Sequence, residues 1–238
     1  MENNEKWEAV KRRNKISILQ SVNKFREEAN KMKRKMQRFV TVSTAAALSL
    51  AMAVPGSAAY QPEQKFQDVS RSASYYEDVM DANYYGLMAG VSGKTFDTES
   101  TITRAMWVTM LYKMAGQPAV QSKDTFTDVK TGDWFAQAAT WAVEQGITSG
   151  TSSTTFSPDA IITRGQTVMF LYRNAGSPAS GTGSAFDDVK IGDYYSSAVR
   201  WAVANGITSG TSATTFSPSA SCTRAQIVTF LYRTFAGW

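Results

Sequence analysis

A period of 60 residues governs this chain. Phe66-Gln67-Asp68-Val69 recurs as Phe126-Thr127-Asp128-Val129 and again as Phe186-Asp187-Asp188-Val189, 60 residues on each time. Phe96, Phe156 and Phe216 keep the same step, as do Arg104, Arg164 and Arg224. Residues 126–175 and 186–235 are identical at 31 of 50 positions without a gap. A repeat of this size is one supersecondary unit that buries little surface alone, so its copies must pack on one another. Three copies of equal length suit closure into a pseudo-threefold body. The first copy is the divergent one: Ala73 stands where the others have Asp133 and Asp193, and Asp81 replaces Trp141 and Trp201.

Each copy reads as helix, loop, helix, which predicts a mainly α fold. In the second copy Gly132-Asp133 precedes an Ala-rich run, Trp134 to Gln145, closed by Gly146. Asp133 has the chemistry of an N-cap and Gly146 that of a left-handed C-terminal stop. Phe135, Ala138 and Ala142 share one stripe, with Trp134 and Trp141 beside it. A Ser/Thr/Gly stretch, 149–155, is too polar for an element interior. The second helix opens at Thr163-Arg164-Gly165-Gln166, where Thr followed three residues later by Gln makes a capping box. Thr223-Arg224-Ala225-Gln226 repeats the box, whereas Thr103-Arg104-Ala105-Met106 keeps only the cap. Gly176-Ser177-Pro178 ends the helix.

Charge divides the chain. Residues 1–59 hold 12 Lys/Arg against 5 Asp/Glu, while residues 60–238 hold 13 against 15, so the basic character belongs to the N-terminal tract. The repeats have no basic surplus for neutralising phosphates, which argues against nucleic-acid binding. The absence of histidine and the single cysteine, Cys222, remove His-based triads, His/Cys zinc sites and internal disulfides; no cofactor or metal is expected. Cys222 takes the position of Ile102 and Ile162 and reads as a small buried hydrophobe.

The N-terminal tract reads as an export signal. Lys31 to Arg38 supply a positive flank, and Phe39 to Val54 form an apolar stretch too short for a membrane span. Pro55-Gly56-Ser57-Ala58-Ala59 ends in small residues, which predicts cleavage after Ala59 and no membrane span thereafter. The long prefix has two readings, an extended n-region or a translation start at Met32 or Met36. A basic helix over 1–38 with a partner of its own is the competing reading. The expected division is a leader at 1–59 and repeats at 60–118, 119–178 and 179–238.

The ordered motifs carry a family resemblance. Phe-x-Asp-Val, a Trp/Ala helix, Gly-Ile-Thr-Ser-Gly, Thr-Phe-Ser-Pro and Thr-Arg-Ala/Gly-Gln resemble the S-layer homology domain over residues 66–236. The resemblance implies a three-pronged body around a central helical bundle. It also implies a secreted protein held non-covalently on a bacterial cell wall, Gram-positive by expectation. The implied partner is an anionic secondary cell-wall polymer, typically carrying pyruvate ketals, bound in grooves between prongs. The family motif Thr-Arg-Ala-Glu maps onto 103–106, 163–166 and 223–226, with Met106, Gln166 and Gln226 in place of Glu. The resemblance implies that Arg104, Arg164 and Arg224 contact the acidic sugar.

Those arginines stand out on physical grounds as well. Each opens a helix, where the macrodipole disfavours a cation by a few tenths to about 1 kcal/mol. Free backbone N–H groups and a guanidinium fork together suit a carboxylate or phosphate. The alternative is that each pairs with Asp68, Asp128 or Asp188 and holds copies together. Ser149-Gly150 and Ser209-Gly210 are further candidates for glycan contact, or plain connectors. Trp141 and Trp201 lie on the core stripe, with sugar stacking as the alternative, and Phe96, Phe156 and Phe216 read as structural plugs. No pair of carboxylates stands out for glycoside hydrolysis. The expected role is attachment rather than catalysis; the alternatives are a cell-wall enzyme scaffold and a repeat for self-assembly or protein binding.

Overall fold

A computed structural model describes residues 64–121, 126–182 and 186–236, so the expected leader and its cleavage point lie outside the described residues. Six helices occur there: α1 (Tyr76–Tyr84), α2 (Arg104–Met114), α3 (Ala136–Glu144), α4 (Arg164–Asn174), α5 (Ser196–Ala204) and α6 (Arg224–Ala236). Each repeat contributes two helices, as its motifs predict, the first shorter than the second.

The first helices begin later than expected. Asp133 does not cap α3: its Oδ2 accepts the Lys130 N–H at 2.8 Å, and its carbonyl accepts the Ala136 N–H at 3.0 Å. The side chain is consumed by the turn before the helix, so α3 starts at Ala136 behind Phe135 with no side-chain cap. Asp193 repeats the arrangement with Lys190. One consequence is that Trp134 precedes the helix and is 65% exposed, away from the stripe on which Phe135, Ala138 and Ala142 are buried. The end of α3 is as predicted. Gly146 adopts φ +69°, and the next two amides, Ile147 and Thr148, both return to the Ala142 carbonyl.

The second helices follow their capping chemistry. In α4 the Gln166 N–H donates to Thr163 Oγ1 while the Gln166 side chain accepts the Thr163 N–H, each at 3.3 Å. Thr223 and Gln226 do the same at the start of α6. Thr103 caps α2 through the Met106 N–H, without the reciprocal bond.

The repeats close into a ring. Each second helix packs against the first helix of the next repeat, α2 on α3 and α4 on α5, and α6 returns to α1. Isolated antiparallel bridges between capping segments obey the same cycle: Thr103 with Ile161, Thr163 with Ser221, and Thr223 with Thr101. The N-termini of α2, α4 and α6 therefore gather around one pseudo-threefold axis. One turn further along, Trp107, Thr167 and Ile227 are all fully buried. One continuous apolar core runs through all three repeats. Phe96, Phe156 and Phe216 are the buried plugs expected, and Trp141 and Trp201 are core residues that pack on Tyr112 and Tyr172. Cys222 is buried, in hydrogen-bond contact with the Thr167 hydroxyl.

Candidate ligand-binding site

The joint between consecutive repeats is built from a carboxylate, a turn and a guanidinium. Asp128 spans two amides, its Oδ1 accepting the Phe156 N–H at 2.8 Å and its Oδ2 the Ser157 N–H at 2.7 Å. Ser157 is held at φ +56°, a left-handed conformation that costs a non-glycine residue about 1 kcal/mol. That turn aims the Phe156 carbonyl at the preceding repeat, where Arg104 Nε donates to it at 3.0 Å. Asp188, Phe216, Ser217 and Arg164 reproduce the joint between repeats two and three. Asp68, Phe96, Asp97 and Arg224 reproduce it between repeats one and three, and so close the ring.

The arginines thus hold copies together through a carbonyl, and the aspartates act on the same turn through its amides. Each guanidinium also lies over phenyl faces. Arg104 sits 5.0 Å from the Phe156 ring and 5.3 Å from Phe170; Arg164 sits 4.9 Å from Phe216 and 5.3 Å from Phe230. Arg224 lies 4.6 Å from Phe96. Such contacts contribute about 0.5–2 kcal/mol each when desolvated. The three side chains are 2–4% exposed, and among the described residues their hydrogen-bond acceptors are carbonyl oxygens and the Cys222 sulfur, never a carboxylate. Burial lowers the pKa of all three; Tyr194 and then Asp128 restore part of the charged form of Arg104, Cys222 and then Asp188 that of Arg164, and Asp97 and then Asp68 that of Arg224.

The three joints differ in their spare donors. Arg224 donates a second bond, from Nη2 to the Ala89 carbonyl of repeat one. Arg164 lies against the Cys222 thiol. Arg104 keeps Nη2 buried and without a hydrogen-bond partner among the described residues. The Tyr194 phenol approaches Arg104 from the third repeat; burial pushes its pKa up, and the charges of Arg104 and Arg173 pull part of that back.

The loop candidates fall nearby in each copy. Ser149 and Ser209 are exposed. Gly150 and Gly210 take φ +91° and +88°, and a Cβ on either would collide with the ring of Phe126 or Phe186 and with a loop carbonyl. These glycines have a packing reason to be glycine. Two exposed aromatics escaped the sequence reading: Trp134, 65% exposed, and its equivalent Tyr194, 60% exposed. Each is paired edge-on with a neighbouring ring, Phe135 or Tyr195. The available signal was the aromatic pair retained at 134–135 and 194–195; repeat one has Ser74-Tyr75 there.

Comparison with known proteins decides the family. Residues 65–105, 125–168 and 185–228 match the S-layer homology domain. The chain belongs to that family. Among its relatives is the Surface-layer 125 kDa protein of Lysinibacillus sphaericus, 28% identical over 205 residues, which cover 84% of this chain and 17% of the relative. The Cellulosome-anchoring protein of Acetivibrio thermocellus is 29% identical over 72% of this chain and 39% of its own length. An Amylopullulanase of Thermoanaerobacterium thermosulfurigenes is 25% identical over 74% of this chain but only 10% of the enzyme. The chain therefore spans well under half the length of these relatives, and what it shares with the enzyme is the anchoring region. S-layer homology domains are cell-wall anchoring modules, and three of them make up the described body, which places the chain at the bacterial cell surface. No helix among the described residues is long and apolar enough to cross a membrane. No group of three or more His, Cys, Asp or Glu side chains there is arranged to hold a metal ion.

Proposed function

We propose that this S-layer homology chain binds an anionic, acid-sugar-bearing cell-wall polymer in the joints between its repeats, and does so without catalysis. The observation that supports this best is the trio of buried guanidinium groups that no carboxylate contacts. A buried cation is costly unless an anion compensates it, and a carboxylate-bearing ligand supplies that anion. Arg104 is the leading site because its Nη2 lacks a partner among the described residues and the exposed Tyr194 lies within electrostatic range of it. A pyruvate ketal offers the carboxylate such a site needs. Ser149, Gly150, Ser209 and Gly210 are proposed as secondary contacts that offer hydroxyl and amide groups to the glycan. Trp134 and Tyr194 are proposed as exposed faces for the sugar ring.

Sedimentation with purified Gram-positive walls tests the reading. The full chain should pellet with intact walls and remain in solution once acid has stripped the secondary polymer. The double variant Trp134→Ala, Tyr194→Ala should stay folded, because both side chains are exposed, yet bind about five- to tenfold more weakly. Undiminished binding to stripped walls overturns the polymer assignment in favour of peptidoglycan or a protein partner. Release of sugar or peptide from the walls overturns the non-catalytic one.

A further inference from the structure

The three helix–helix seams of the ring are chemically unequal. Where α2 meets α3, Tyr112 packs on Trp141 with ring centroids 5.6 Å apart; where α4 meets α5, Tyr172 packs on Trp201 at 5.8 Å. The closing seam, α6 on α1, has Tyr232 in the tyrosine position but Asp81 in the tryptophan position. Asp78 likewise stands where the other first helices bury Ala138 and Ala198. It is itself only 8% exposed, and its Oδ2 accepts the Thr229 hydroxyl of α6 at 2.7 Å. Positions 78 and 81 are three apart and share one helix face, so two carboxylates stand where the other two seams have alanine and tryptophan.

We propose that the closing seam is an acid-tightened latch: with Asp78 and Asp81 protonated α1 lies firmly against α6, and their ionisation loosens it. An ionised carboxylate in such a seam bears a desolvation cost and repels its neighbour, whereas the neutral acid can also donate a hydrogen bond. The groups that bear on the pair are Glu77 on α1 itself, Tyr85 just after it, and Thr229, Tyr232 and Arg233 on α6. Lys113 of α2 is engaged with the Gly86 carbonyl beyond the end of α1. Burial, then Glu77 and Asp78, push the Asp81 carboxyl up to about 6. Burial raises Asp78 as well, offset in part by Thr229 and the Arg233 charge. Tyr232 is pushed up to about 12, by burial first and then by the same carboxylates.

A carboxyl raised on folding binds its proton more tightly in the closed state. The latch is therefore fully engaged below the ordinary carboxylate range and is lost as pH climbs through about 6. Asp68, in the joint next to this seam, acts the opposite way. Burial raises it, but the Phe96 and Asp97 amides and the Arg224 charge outweigh burial and hold it below the usual range. Its contribution disappears only as pH falls through that lowered value, which leaves the mildly acidic range as the one in which both hold. Arg224 opens α6 and bonds repeat-one carbonyls, so the latch governs the joint between repeats three and one. That last consequence rests on the anchoring reading, and the latch itself does not.

Hydrogen–deuterium exchange on the ligand-free full chain tests it, at pH 4.5, 6 and 7.5 with intrinsic rates corrected for pH. The opening equilibrium of α1 should grow about tenfold from pH 4.5 to 7.5, with α3 and α5 unchanged as internal references. Asp81→Asn should flatten most of that dependence, and Asp81→Trp should remove it by restoring the aromatic pair. Should Asp81→Trp misfold, the near-isosteric Asp81→Asn carries the test. A pH-independent α1, or a dependence that survives unchanged in Asp81→Asn, overturns the latch. The readout involves no wall polymer, so its failure is distinct from a failure of the anchoring reading.

Discussion

Asp128 occupies two amide hydrogens at once, and through them it keeps Ser157 in a conformation that a serine otherwise avoids. Removing the carboxylate leaves two part-buried N–H groups without their acceptor and frees the turn that presents the Phe156 carbonyl to Arg104. Asp128→Ala should therefore cost about 3 kcal/mol in urea unfolding, with Asp128→Asn costing about half as much because one amide oxygen can still accept. The side-chain types at these positions were legible in the sequence, but their partners were not. Arg104 meets a carbonyl 52 residues further on, and the carboxylate expected opposite it acts one step away through the backbone. Backbone carbonyls carry no residue label, so a periodic Arg and a periodic Asp read naturally as a pair. Asp133 misled for a related reason: its carboxylate suits an N-cap or a preceding turn equally, and the Lys130 amide lies nearer.

At the level of the helix, the capping boxes were legible because both partners lie within four residues. Their energetics are testable by exchanging copies. Gln166→Met gives α4 the half-box of α2 and should cost about 0.5 kcal/mol, and Met106→Gln should return a similar amount to α2, both seen as shifts in thermal midpoint. The C-terminal glycine of α3 was equally legible, since Gly146 needs its positive φ for purely local reasons. The fate of Trp134 was not. The two-residue delay after Asp133 sets the phase of the helix, and that phase decides which of two adjacent aromatics is buried; Phe135 goes in and Trp134 stays out.

For the whole molecule, three equal repeats foretold closure, and every class of inter-repeat contact obeys the cycle. A chain of residues 60–178 alone should therefore fail to melt cooperatively by circular dichroism. It leaves Arg164 without the Phe216 carbonyl, α4 without α5 and α1 without α6. Native-like melting of that fragment would show that two repeats suffice. The period marked Asp81 as the odd residue in the tryptophan position, but not that this position faces α6 in the seam that closes the ring, because a repeat sets position and says nothing of which element meets it. Closure also has a consequence in time. The bond from Arg224 to the Phe96 carbonyl joins residues 128 positions apart, so the first repeat to be synthesised is among the last to be completed. Until α6 arrives, α1 lacks the helix it packs against and its carboxylates stay in water. During synthesis repeat one thus stays partly unfinished while repeat two and most of repeat three are made, and the arrival of α6 is what closes the ring.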